Sequence, residues 1–214
     1  MRIAVIGTGS VGRTLAAGFT RIGHEVVVGT RDPDATKARD AWADSDLTLV
    51  RLAEAGRDAD LVVNATNGAG SQAALAEVGA DALAGKVVMD VSNPLDMSHG
   101  FPPSLFVVNT DSLAEQLQRA FPEARVVKTF NTVTAAVMVD PSRAGGESTA
   151  FVAGNDPEAR STVVRLAREL GWQDVLELGD LSAARAMEMY LPLWLRLFQS
   201  VGTPMVNVKV VHGG

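Results

Sequence analysis

The chain contains no cysteine. That absence excludes disulfides, thiolate metal sites and a cysteine nucleophile together, and it fits a reducing compartment. Histidine is nearly as scarce: His24, His99 and His212 are the whole supply. No block of like charges is long enough to form a tail, and a net charge of −6 offers no basic surface to nucleic acid or an anionic membrane. Long apolar runs are missing too. The nearest candidate, YLPLWLRLF, carries Pro192 and Arg196 and is far too short for a bilayer span. At the start, MRIAVIG already reads as a strand entering a glycine turn, with no room ahead of it for a removable signal peptide. These absences predict a cytoplasmic protein with no metal, no membrane segment and no nucleic-acid partner.

What is present is a core-forming chain, 47% hydrophobic over 214 residues. Residues 2–6 (RIAVI) form a β-branched run bounded by glycine, the pattern of a strand covered on both faces. Val11, Leu15, Phe19 and Ile22 then recur at helical spacing. Further strands are predicted at 25–29, 47–49, 58–66, 86–92, 124–130, 148–154 and 172–178. Helices are predicted between them, including one over 33–42, one over 111–121 with Asp111 as its cap, and one over 157–171. Such alternation predicts an α/β fold, a Rossmann-type doubly wound parallel sheet. From Asp180 the pattern turns helical and bulky (SAARAMEMYLPLWLRLFQ). The expected organisation is a dinucleotide-binding domain over 1–180 and a small C-terminal helical element over 181–214.

GTGSVG (Gly7, Thr8, Gly9, Ser10, Val11, Gly12) matches G-x-G-x-x-G. Alone the motif is weak; here it follows a buried strand and opens a helix, the context a dinucleotide requires. Gly7 permits the tight turn, Gly9 lets a pyrophosphate approach the backbone, and Gly12 lets helix and strand pack closely. Helix-start N–H groups attract the phosphate charge. A tight turn without a ligand is the bland alternative.

The end of the second strand, VVVGTRDPD, chooses the cofactor. Thr30 stands where an NAD-binding chain would place a ribose-binding carboxylate. Threonine removes the repulsion of a 2′-phosphate, and Arg31 adds a permanently charged fork suited to phosphate oxygens. This predicts NADP(H), with Lys37 as a further phosphate contact. In the alternative, Arg31 is a solvated loop charge and Asp32 holds the ribose.

The remaining strand ends, NATNGAGS (64–71), VSNPL (91–95) and TFNTVTAA (129–136), are rich in neutral hydrogen-bonding groups. Ala65, Thr66, Asn93, Asn131 and Ala135 are the candidate contacts for the rest of the dinucleotide. Neither a histidine nor a Ser–Tyr–Lys set falls there. Lys128, inside a strand, reads as the partner of a carboxylate rather than a base, and Asp90 as a loop cap. Carbonyl reduction needs a proton delivered at oxygen. A site without an acid–base group suits hydride transfer between two cofactor rings, where the protein positions and shields them.

With GTRDP, VVKTFNTV, FVAGNDPEA and LGDLSAARAMEMYLPLWLRL in view, the sequence resembles the NADPH-dependent reductases of coenzyme F420, an 8-hydroxy-5-deazaflavin. It also resembles the NADPH-oxidising domain of the animal ferric reductases. The likeness covers almost the whole chain. It implies a Rossmann homodimer in which Gly7–Gly12 and Thr30-Arg31 hold NADP(H). It further implies an acceptor ring positioned near Asn131, Thr132 and Val133 and walled partly by the C-terminal helix. Archaeal deazaflavin reductases carry histidine where this chain has Asn131. The asparagine is closer to the flavin-using ferric reductase domain, so coenzyme F420 and FMN or FAD both stand as acceptors. A third reading is an NADP-binding sensor without turnover.

Overall fold

Residues 1–213 are described by a computed structural model. In chain order the elements are β1 (Arg2–Ile6), α1 (Ser10–Arg21), β2 (Glu25–Thr30), α2 (Pro33–Lys37), α3 (Asp40–Ala43), β3 (Thr48–Arg51), α4 (Leu52–Ala55) and β4 (Leu61–Asn64). Then come α5 (Gly68–Val78), α6 (Ala80–Leu83), β5 (Val87–Asp90), the short strands β6 (Leu95–Asp96) and β7 (Ser104–Leu105), and α7 (Leu113–Ala120). β8 (Arg125–Thr129), α8 (Ala135–Met138), β9 (Thr149–Gly154), α9 (Pro157–Glu169), β10 (Asp174–Glu177), α10 (Ala184–Met189) and α11 (Leu191–Val201) complete the chain.

The main sheet has eight strands in the order β10-β9-β8-β5-β4-β1-β2-β3. From β3 to β8 every pairing is parallel, as expected of a doubly wound sheet. β9 departs from that expectation. It runs antiparallel to β8 while pairing in parallel with β10, so the last β–α–β unit is inverted relative to the rest. β6 and β7 form a separate antiparallel pair that the sequence pattern did not predict.

Side-chain alternation builds two cores, one per face. Ile3 and Val5 of β1 join Leu15 and Phe19 of α1 and Val163 and Leu166 of α9. Ala4 and Ile6 face the other way, toward Leu52, Leu75 and Leu117. A strand buried on both sides must be apolar at every position, which is why β1 and β4 read as continuous hydrophobic runs. The chain leaves β1 toward β2 and β3 and returns on its other side as β4, so a crevice opens beyond the carboxyl ends of β1 and β4.

Three predicted helices are corrected. The helix expected over 33–42 is broken at Arg39, whose backbone is extended (φ −79°, ψ 137°). The break turns Trp42 into the core, where its indole Nε1 donates to the Thr8 carbonyl at 3.1 Å. The cap of α7 is Ser112 rather than Asp111: the Glu115 N–H donates to its hydroxyl. The long C-terminal helix divides at Tyr190, and Pro192 sits in the first turn of α11, where its missing N–H costs nothing. No helix among the described residues is long and apolar enough to cross a membrane.

Candidate functional site

The phosphate loop is built by contacts that only glycine permits. Gly7 has φ +122°, and a Cβ there would stand 2.5 Å from the Ala65 carbonyl oxygen. At Gly12 a Cβ would meet the Gly7 carbonyl at 2.0 Å, so the first turn of α1 lies against the end of β1. Gly9 differs, with open space around the position a Cβ would fill. It is the N-cap of α1 and makes no side-chain cap. The free helix-start N–H groups therefore face room for an anion.

A cleft of about 820 Å³ opens beside this loop. Gly7, Thr8 and Gly9 form its floor, Thr30 and Arg31 one end, and Ala65 and Thr66 the opposite wall. The structure thus brings together the loop, the end of β2 and the end of β4, as a nucleotide lying across the switch point requires.

At the β2 end, Thr30 is only 8% exposed, and its hydroxyl is 2.7 Å from that of Thr36. Its contribution is a neutral, compact strand end. Asp32, the alternative ribose ligand, accepts the Ala35 N–H at 3.0 Å and caps α2. Arg31 is exposed and forms no ion pair among the described residues. Lys37 lies outside the cleft lining, and its ammonium donates to the Ser45 carbonyl at 2.7 Å.

Arg39 was not among the expected contacts. It lines the cleft, and its guanidinium reaches the Thr8 and Thr36 carbonyls at 3.5 Å each. The sequence pattern missed it because a continuous helix over 33–42 gives no reason to aim residue 39 at the loop; the break at Arg39 does. Asn67, from the polar strand end 64–71, also lines the cleft, as does Glu77, which was not predicted.

Of the other candidates, Ser10, Val11 and Gly12 form the first turn of α1 beside Gly9, whereas Asn93, Asn131, Thr132, Val133 and Ala135 do not line the cavity. Asn93 and Asn131 instead clasp each other. Asn93 Nδ2 donates to the Asn131 carbonyl at 2.8 Å, and Asn131 Nδ2 donates to Asn93 Oδ1 at 3.0 Å and to the Met187 carbonyl at 2.9 Å. The pair adjoins the cleft wall, because a Cβ on Gly68 would lie 2.0 Å from the Asn93 carbonyl. Asn131 is 3% exposed, yet its Oδ1 has no partner. An unpartnered buried acceptor is uncommon and calls for a donor.

Beneath the wall lies a buried charge cluster. Lys128 Nζ sits 2.8 Å from Asp90 Oδ2 and 2.8 Å from Glu188 Oε1, all three side chains being essentially inaccessible. Burial alone would lower the Lys128 pKa; the two carboxylates more than reverse this and hold it above its ordinary range. The reading of Lys128 as a carboxylate partner holds, with a second carboxylate that sequence spacing did not indicate. Removing one member of such a cluster costs roughly 3–5 kcal/mol, because the others are left buried and unpaired.

His24 bonds Glu169 at 3.0 Å on the amino-terminal side of the sheet, and neither His99 nor His212 lines the cleft. No group of acidic or histidine side chains among the described residues could hold a metal.

A glycine-loop cleft at the switch point of a doubly wound sheet, with guanidinium groups at its β2 end, defines a dinucleotide-binding protein of the Rossmann class. Residues 2–94 match the family described as NADP oxidoreductase, coenzyme F420-dependent. A crystal structure from Arthrobacter sp. FB24, provisionally named an F420-dependent NADP reductase, is 53% identical with a TM-score of 0.95, covering 99% of this chain and 100% of that one. The chain belongs to this family of NADP oxidoreductases and is an enzyme of that class. The F420-dependent NADP reductase of Methanocaldococcus jannaschii is 27% identical over 95% of this chain and 96% of its own. Metalloreductase STEAP3 of Rattus norvegicus is 31% identical over 90% of this chain, which spans only 38% of that protein's length.

Proposed function

We propose that the protein transfers hydride between NADP(H) and coenzyme F420. The observation that carries this reading is the β2 end of the cleft: a neutral Thr30 turned inward, with Arg31 and Arg39 lining the same cavity. That arrangement suits the phosphate on the adenosine ribose and offers no carboxylate at Thr30 to repel it. The residues fit the dinucleotide, since Gly9 leaves the space a pyrophosphate needs.

When bound, NADPH supplies the hydride and the deazaflavin accepts it. The chain's own part is positional. The α1 N–H groups and the guanidinium pair hold the phosphates, Thr66 and the Asn93–Asn131 clasp set the far end, and α10 and α11 shield it from water. Hydride goes to a ring carbon, and the accompanying proton goes to a ring nitrogen that solvent can reach, so a site without a histidine or tyrosine acid suffices. The names of the Arthrobacter and Methanocaldococcus relatives support the deazaflavin acceptor.

A second reading, reduction of FMN or FAD, is supported by Asn131 and by the match to the metalloreductase. Purified protein and NADPH are mixed in turn with F420, FMN and FAD while nicotinamide absorbance is followed. Oxidation with F420 alone is expected. Oxidation with flavin alone moves the assignment to the second reading, and tight NADPH binding without oxidation makes the protein a sensor. We place the enzyme in the cytoplasm as a homodimer, its C-terminal helical element over 181–214 forming the contact and part of the acceptor wall.

A further inference from the structure

The end of β8 grips two consecutive residues of α10. Lys128 bonds Glu188, and three residues later Asn131 bonds the carbonyl of Met187. Between the two grips, Phe130 has φ +55°, a left-handed conformation unusual for a bulky side chain. Its ring is buried and stacks on Trp172 at 5.6 Å. Strain of this kind persists where surrounding contacts over-determine the backbone, and it concentrates at functional sites.

Glu188 does more than neutralise charge. Its carboxylate accepts the Leu113 N–H at 2.8 Å and the Ala114 N–H at 3.2 Å, tying α10 to the start of α7. Asp90 extends the network the other way. Its Oδ1 accepts Asn64 Nδ2 at 2.8 Å and the Ser92 hydroxyl at 2.7 Å. Asn64 Oδ1 in turn accepts the Thr66 hydroxyl at 2.7 Å, and Thr66 lines the cleft. One lysine thus joins the cleft wall to the turn that carries Asn131. Replacing a buried ion cluster with well-packed apolar groups is often neutral or stabilising, so stability is weak grounds for keeping one here.

We infer that Lys128 is a positioning residue: through Asp90 and Glu188 it sets where Thr66 stands in the cleft wall and where Asn131 stands beyond it. This rests on the NADP(H) reading and deepens it. Residues placed by such a network act on the reacting half of the dinucleotide and leave the adenosine half alone.

The test uses Lys128→Met and Glu188→Gln, with 2′,5′-ADP as a probe of the adenosine half. Affinity for 2′,5′-ADP should stay within about twofold of wild type, while affinity for NADPH falls several-fold and kcat with the acceptor falls about tenfold or more. If Lys128→Met does not fold, Glu188→Gln decides, because it keeps the side-chain shape. A folded Glu188→Gln protein with kcat and the NADPH to 2′,5′-ADP affinity ratio both near wild type overturns the inference, whatever its melting temperature. Failure of the NADP(H) reading shows separately, as a wild type that binds neither 2′,5′-ADP nor NADPH.

Discussion

Arg31 and Arg39 reach the cleft from either side of α2, and their settings differ. Arg31 forms no ion pair among the described residues, whereas Arg39 also holds the carbonyls of Thr8 and Thr36. A charged hydrogen bond contributes about 1.5–3 kcal/mol. Arg31→Ala should therefore weaken NADPH binding by about that amount and leave NADH binding nearly unchanged. Arg39→Ala should act in the same direction but more weakly on the ratio, because losing its grip on Thr8 disturbs the loop for both cofactors. Fluorescence titration with the two nucleotides measures this. Equal losses for NADPH and NADH in Arg31→Ala would refute the phosphate assignment. Thr30, by contrast, acts through what it is not: with its hydroxyl on Thr36, the side chain matters chiefly as a neutral group at a position where a carboxylate repels phosphate.

Among the elements, α7 bears on the site indirectly, since its first N–H groups bond Glu188. Its start is further secured by Asp111, whose carboxylate takes a two-pronged bond from Arg119 at 3.0 and 2.7 Å. The Arg119 hydrogen bond is the main cause holding the Asp111 pKa down to about 2 from its ordinary 3.8. A carboxyl lowered on folding stabilises the native state above its unfolded pKa, and the benefit is lost as pH falls through its folded value. Asp111→Asn should thus lower stability near neutral pH, and the deficit should shrink between pH 3.8 and about 2. Because Arg119 is 60% exposed, solvent screening limits the effect to about 1 kcal/mol or less. Urea midpoints of the two proteins across that range provide the check; a deficit independent of pH would assign the loss to something other than this carboxylate.

At the level of the whole molecule, α11 is unfinished. Only Leu191 of this helix is buried, Leu193 is 55% exposed, and Trp194 and Phe198 stack on each other at 6.0 Å. Met97 and Phe101, in the loop between β6 and β7, and Phe106, just after β7, are exposed as well. Apolar surface of this extent on a small domain marks an interaction site, and the proposed occupant is a second copy of the chain. Leu193→Asp should shift the sedimenting species from twice the monomer mass to the monomer mass. A wild type that already sediments as a monomer would dispose of the dimer, though not of the NADP(H) site.

Some of this was legible without coordinates because the signals are local. The loop Gly7–Gly12 and the twice-buried β1 each lie within a few consecutive residues, and their local geometry follows from identity and spacing. The α/β class was legible for the same reason, since alternating periodicity survives small errors in each boundary. Contacts between distant segments were decided by the tertiary structure. Lys128 meets Asp90 across 38 positions, and no pattern in either strand announces Glu188 as the third member. The inversion of β9 depends on which way the chain returns to the sheet, a matter of packing rather than propensity. That Arg39 lines the cleft follows from the break at Arg39 and the bond of Trp42 to the Thr8 carbonyl, which no local pattern announces. Sequence determined the local motifs; folding decided which distant side chains share the cleft, because those contacts depend on packing rather than on neighbouring residues.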